Sequence, residues 1–436
     1  MKKLMVILIV LIAVSPCYAV TYYVSSTGND LSAGSTATPW KTIQKCANTI
    51  NAGDTCILKS GVYAENLVTI SRSGSAFYPL NFRAEYQGRA VLNGRINITG
   101  NYVKIDGLKI VPQTSHTYGV NIKGNYNDVR NCSIDGSQKV LGTNNTAIGI
   151  IGQKNTADSN YITGTCFGIQ ISGQDHTVNK NEVFALTKNG SCGDVDYMRF
   201  FGTGHVITYN KFHGINLANV GTSHVDCFQT FDNNGPQYAV QNILVEGNFC
   251  SDAMEGMMMT SKTYKVANNV TIRNNIFRKC TAWGIAASAI KNVKVYNNTF
   301  DMTGGIHGMG CAVGSSCEFR NNIFYNGRSS YWFDSSATII NGTAAAPGKN
   351  NILYRSGKLI KGYADDVINK DPQFIDPDNN NYKLKSTSPA VKLGVPVAGW
   401  SPATDKDGQY RPQTTWSAGA YETFPAGKTV KSGSNY

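Results

Sequence analysis

Long helix-forming runs are almost absent from this chain of 436 residues. That argues against helical bundles and coiled coils. No CxxC pair and no Cys/His zinc spacing occurs, so a structural zinc domain is excluded. The basic residues are scattered and no DNA-binding motif is present, so no nucleic-acid partner is expected. Beyond the first nineteen residues no run is apolar enough to cross a bilayer, and no membrane insertion is expected. Acids are scarce: 28 Asp and Glu stand against 40 Lys and Arg.

What is plentiful is glycine (44 residues), asparagine and short apolar stretches, a composition for many short strands and turns. The opening "MKKLMVILIVLIAVSPCYA" has the basic start, apolar core and small-residue end of a secretory signal, cleaved near Ala19. Without it the chain carries 38 basic and 28 acidic residues, a net charge of +10 that suits an anionic partner. Ten cysteines remain, an even number that suits disulfides in an exported, secreted protein. Pairing neighbours in sequence gives Cys46–Cys56, Cys132–Cys166, Cys192–Cys227, Cys250–Cys280 and Cys311–Cys317 as a first expectation, although connectivity cannot be read from spacing.

A phrase of Asn followed closely by an apolar residue recurs at Asn131, Asn160, Asn181, Asn210, Asn248, Asn275, Asn298, Asn322 and Asn351. The spacing varies from 21 to 38 residues. Such variation fits stacked coils with loops of unequal length, and disfavours a β-propeller, whose blades are longer and regular. A strand-like run precedes each phrase. Aligned, these runs share an apolar third column: Val120, Ile150, Ile169, Met198, Phe228, Met257, Ile285 and Met309. An unbroken apolar column is one inward ladder of a solenoid. The Asn phrases form a second column at a turn, where amides stack and left-handed backbone is tolerated. The expected fold is all-β: a right-handed parallel β-helix, a solenoid of three short strands per coil, running as one domain over 20–423.

The ends need caps. "TPWKTIQKCANTINAGDT" predicts a short N-terminal capping helix within 38–53, with Thr38 as N-cap, Pro39 at the first position and Gly53 past the end. "TCILKSGVYAE" then begins the strands. Residues 365–423 read as a closing segment, and 424–436 as a loose tail.

The opening "YYVSSTGNDLSAGSTATPWKTIQKCANTINAGDTCILKSGVYAE" resembles the start of secreted β-helix polysaccharide lyases of the pectate lyase and chondroitinase B kind. The closing "DKDGQYRPQTTWSAGAYE" resembles the end of many such exported proteins. The resemblance implies the architecture and export. It does not name the reaction, because one fold hosts many.

The first column of the aligned strands reads Tyr118, Ile148, Phe167, Asp196, Asp226, Glu255, Trp283, His307. Three acids on consecutive coils lie about 5 Å apart and repel one another. A shared proton, a bound cation or a cationic substrate group must offset that. The column resembles, coarsely, the acidic strands of polygalacturonases, with Val225 where those have a second acid and Glu255 where they have His. A hydrolase would use Asp196 and Asp226 as an inverting pair. A lyase acting on an anionic uronate polysaccharide needs charge to neutralise the substrate carboxylate, and a base. Asp194, Asp196, Asp226 and Glu255 are the candidate Ca2+ ligands. Arg199 and Gln229 share an outward column and would contact substrate, and His224 and Lys262 are the candidate bases. Trp283 would stack on a sugar. Arg199 has a structural alternative, an ion pair with Asp226 or Asp196. The expected function is a monomeric, secreted pectate-lyase-like enzyme. The alternatives are an inverting glycoside hydrolase and a non-catalytic carbohydrate-binding or surface solenoid.

Overall fold

The computed structural model describes residues 19–232, 234–333, 336–339, 348–355 and 365–424. The expected signal segment up to residue 18 and the expected loose tail from residue 425 lie outside the described residues. Strands stack in parallel register into a 25-stranded sheet and a separate 13-stranded sheet, closing a right-handed parallel β-helix. Each coil contributes short strands of two to eight residues, because a turn interrupts the chain whenever it must change face. The interior is one continuous apolar stack, including a file of rings from Phe277 through Phe300 to Phe324 with centroids 5.1 and 4.7 Å apart.

The inward ladder runs Val120, Ile148, Ile169, Met198, Phe228, Met257, Ile285, Met309 and Tyr331. Ile148, not Ile150, fills its rung, and Thr146, not Ile148, fills the first-column rung between Tyr118 and Phe167. The expected alignment was two residues out at this coil. "TAIGII" is apolar at both spacings, so alternation alone could not fix the register.

The asparagine column is a hydrogen-bonded ladder. Asn160, Asn181, Asn210, Asn248, Asn275, Asn298, Asn322 and Asn351 are buried, and the Oδ1 of each accepts the backbone N–H of the corresponding residue one coil earlier. Asp366 closes the far end. The left-handed position is the residue before each rung: Ser159, Lys180, Tyr209, Gly247, Asn274, Asn297, Asn321 and Asn350 all have φ between 51° and 70°. Asn131, with φ 51°, is such a preceding residue, and Cys132 occupies its rung. A double Asn therefore encodes two roles, a left-handed turn residue and then a ladder amide.

The capping helix spans Ile43–Thr49, four residues later than Thr38 would start it. Trp40 is held extended instead, its N–H donating to the Tyr23 carbonyl and its carbonyl accepting from Ser25. Thr42 is the N-cap, and the Glu65 carboxylate accepts the N–H groups of Ile43 and Gln44 at 2.7 and 2.9 Å. The first strand, Thr21–Val24, precedes the helix and pairs with Thr55–Leu58.

Disulfides join Cys46–Cys56, Cys166–Cys192, Cys227–Cys250 and Cys311–Cys317, with Cys132 and Cys280 as buried thiols. The expected Cys132–Cys166, Cys192–Cys227 and Cys250–Cys280 bridges are not formed. Loops of unequal length bring together cysteines that spacing alone does not pair. The closing segment packs its Arg411 into the solenoid wall, donating to Asn274 Oδ1 at 2.9 Å and to the buried Glu422 at 3.1 Å. Among the described residues no helix is long and apolar enough to cross a membrane.

Candidate functional site

The strands Asp196–Thr203, Asp226–Thr230 and Glu255–Thr260 stack as neighbours, with Asp226 opposite Glu255 and Glu255 opposite Trp283. Arg199 lies opposite Gln229. The three acids therefore occupy successive rungs of one column. Asp196 and Asp226 are fully buried, and Glu255 is partly so.

Two cations of the protein's own separate these carboxylates. Arg199 donates from Nε to Asp196 Oδ2 at 2.7 Å and from Nη2 to Asp194 Oδ2 at 2.6 Å. Its guanidinium lies 4.0 Å from the Phe167 ring centroid on the rung below. Asp196 Oδ1 accepts the Asp226 N–H at 2.9 Å, so Asp196 is fastened on both oxygens. His224 Nδ1 lies 3.0 Å from Asp226 Oδ2, and its Nε2 lies 3.8 Å from Glu255 Oε1. Gln229 donates to Asp226 Oδ2 at 2.9 Å. Three buried oxygens of the site keep no hydrogen-bond partner: the carboxylate oxygens Asp226 Oδ1 and Glu255 Oε2, and the amide oxygen Gln229 Oε1.

Burial in this low-dielectric wall pushes the Asp196 carboxyl up to about 6, despite Arg199. Burial pushes Asp226 up to about 7, and Glu255 up to about 7 with the added repulsion of Asp226. The hydrogen bond to Asp226 holds His224 up at about 9. The cluster thus keeps protons at neutral pH, and that answers the repulsion expected from three bare carboxylates.

The structure brings together Asp194, Asp196, Arg199, His224, Asp226, Gln229 and Glu255, with Trp283 one rung beyond. It does not bring Lys262 to them. Lys262 is exposed on the turn after Glu255–Thr260, and its neighbour Ser261 donates to Asp232, six residues past Asp226 on the adjacent strand. That is the opposite end of the strands, roughly 20 Å away at strand rise. Phe167, the support of Arg199, stood in the first column without an assigned role. Trp332, 38% exposed, was missed. Its only signal was the run of three aromatics in "SYWFD", between the Asn322 and Asn351 phrases.

The family model for the Pel9A-like right-handed β-helix region matches residues 22–167, and that for the general right-handed β-helix region matches residues 200–361. No curated protein matches the chain in sequence. Among solved structures, pectate lyase Pel9A is 17% identical with a TM-score of 0.58, over 92% of this chain and 96% of its own. The PL6 family alginate lyase AlyGC is 12% identical with a TM-score of 0.54, over 84% of this chain and 57% of its own. XylC, solved in complex with xylose, is 11% identical with a TM-score of 0.52, over 93% of this chain and 98% of its own. With its stacked coils and these matches over residues 22–167 and 200–361, the chain has the right-handed β-helix fold of the pectate lyase type.

Proposed function

We propose that the chain is an exported enzyme that cleaves an anionic, uronate-containing polysaccharide by β-elimination at Asp226, His224 and Glu255. One observation carries this reading: two buried, unpartnered carboxylate oxygens on adjacent rungs, beside a half-exposed imidazole. The lyase neighbours, the disulfides and the basic net charge support it.

Calcium, implied by the pectate lyase resemblance, fits only part of the expected ligand set. Asp194 and Asp196 are engaged by Arg199, whereas Asp226 Oδ1 and Glu255 Oε2 are hard oxygens without partners. Those two residues would hold the ion, which would draw charge from the uronate carboxyl and so acidify the neighbouring C–H. Arg199 adds positive charge on the rung below. Its two carboxylates and Phe167 hold its orientation. His224, anchored through Nδ1 on Asp226, holds its own proton at neutral pH and is the group poised to take the substrate proton as pH rises toward about 9 and the ring is deprotonated. Gln229 locks the Asp226 carboxyl from the other side.

A second reading rests on the raised carboxyls. Glu255 and Asp226 lie on consecutive rungs, one able to give a proton and the other to act as the second carboxylate of a glycoside hydrolase. This pair replaces Asp196 and Asp226, because Asp196 is buried and held on both oxygens. Digests of galacturonate, mannuronate and neutral polymers separate the two. Elimination leaves unsaturated, ultraviolet-absorbing ends and is lost to chelator, while hydrolysis leaves reducing ends without that absorbance. Wild-type protein that yields neither product on any polymer refutes both.

A further inference from the structure

The face that carries the acids changes character along the axis. The outward positions beside the column read Gln170, Arg199 and Gln229, then Met258, Ala286, Gly310 and Trp332 on successive rungs. A charged, hydrogen-bonding half meets an apolar half at Asp226 and Glu255. In the apolar half three rings gather. Trp283 packs on His307 with centroids 4.1 Å apart and meets the edge of Trp332 at 5.7 Å. Gly310 makes room for this: a Cβ there would fall 2.4 Å from the Trp283 ring, so the indole lies directly on the backbone. Burial lowers the His307 pKa, keeping the ring neutral against the indole.

We propose that Trp283, His307 and Trp332 form a stacking subsite for a pyranose ring of the polysaccharide, one to three coils beyond the acids toward the C-terminal end. The inference rests on the reading that this groove takes a polysaccharide. It adds a direction and a preference. Coils repeat every ~4.8 Å, close to the length of one sugar residue, so a polymer laid along the axis presents about one ring per rung. Aromatic faces hold the C–H face of a sugar through apolar contact, and the outward column itself, Met258, Ala286, Gly310 and Trp332, carries no charge, with Arg328 beside His307 as the cation at its edge. The subsite therefore takes the apolar face of a ring there, with acidic and hydroxyl groups turned to its edge or lying over Arg199 and Gln229.

The test uses calorimetric titration and steady-state cleavage with hexasaccharides of galacturonate, mannuronate, xylose and glucose. With whichever hexasaccharide wild type binds, Trp332→Ala raises Kd or KM about tenfold, with kcat within twofold, and Trp332→Phe restores most of the loss. Gly310→Leu, which displaces Trp283 without touching an acid, acts in the same direction. Binding and KM unchanged in both Trp332→Ala and Gly310→Leu overturn the subsite while the enzymatic reading stands. Binding that Trp332→Ala weakens, without cleavage by wild type, keeps the subsite and overturns the enzymatic reading. No binding and no cleavage across the panel overturns both.

Discussion

Asp194 and Asp196 hold the same arginine, yet they are not equivalent. Asp194 keeps 35% of its side chain exposed, and Asp196 keeps none. Removing Asp196 leaves Arg199 half-paired in the wall and orphans the Asp226 N–H, so Asp196→Ala should cost about 3 kcal/mol. Asp194→Ala should cost less than about 1 kcal/mol, as a solvent-screened pair does. Chemical denaturation of the two variants measures the difference, and equal costs would refute this account of the site. Asp226 has the opposite profile. Its carboxyl is raised by burial, so the folded state disfavours its charged form at alkaline pH. Asp226→Asn keeps an acceptor for Gln229 and removes that charge. At pH 8 it should melt at the same temperature as wild type or higher, while cleavage falls by roughly 10²–10⁴-fold. A melting temperature clearly below wild type, or retained turnover, contradicts the proposed role.

At the scale of the element, the coil is fastened by its ladder amide. Asn275 accepts from the N–H and Nδ2 of Asn248 and donates to the Val245 carbonyl, all buried. Asn275→Ala orphans these partners and should cost about 2–3 kcal/mol. Asn350→Ala, at a preceding left-handed position, loses only the αL preference of Asn and should cost about 1 kcal/mol. Thermal melts of the pair check the distinction. Sequence reading found the ladder because amide spacing survives variable loops. It merged the two Asn roles, because dihedral angles are not written in residue type. The register slip at Ile148 has a related cause: where a strand is apolar on both alternations, only the stacked neighbours decide which side faces in. The acidic column was legible because register turns sequence spacing into a line in space. The partnership of Arg199 and His224 with those acids was not, since side-chain direction decides it. Lys262 failed for the same reason, being near in sequence and at the wrong end of the strand.

Over the whole molecule, two sets of buried titrating groups pull stability in opposite directions between about pH 4 and 7, and His224 acts above that range. Asp196, Asp226 and Glu255 have folded pKa values above their ordinary ones, so the native state binds more protons and their contribution falls as pH rises from about 4 to 7. His224, raised to about 9, contributes stability below its unfolded value that is lost as pH climbs through 9. For two buried histidines the sign is the opposite over the same range. His176 and His205 are buried and stacked 5.1 Å apart, and burial lowers both, His205 to about 4. The unfolded chain then binds protons that the native state refuses, and stability drains as pH falls from about 6.5 toward 4. These histidines continue a second ladder whose earlier rungs are Asn127 and Asn155: Asn155 N–H donates to His176 Nδ1, and His176 N–H to His205 Nδ1. The other ring nitrogen of each meets the carbonyl four residues back, Ser172 or Phe201, just as Asn155 Nδ2 meets Ile151. Asparagine is therefore a working substitute at both rungs. The double variant His176→Asn, His205→Asn should match wild type near pH 7 and melt higher at pH 4.5. Asp226→Asn should instead remove part of the acids' loss between pH 4 and 7 and leave the histidines' acid limb in place. Melting temperatures from pH 4 to 9 for the three proteins decide it: an unchanged acid limb in the double variant would remove the buried histidines as its cause.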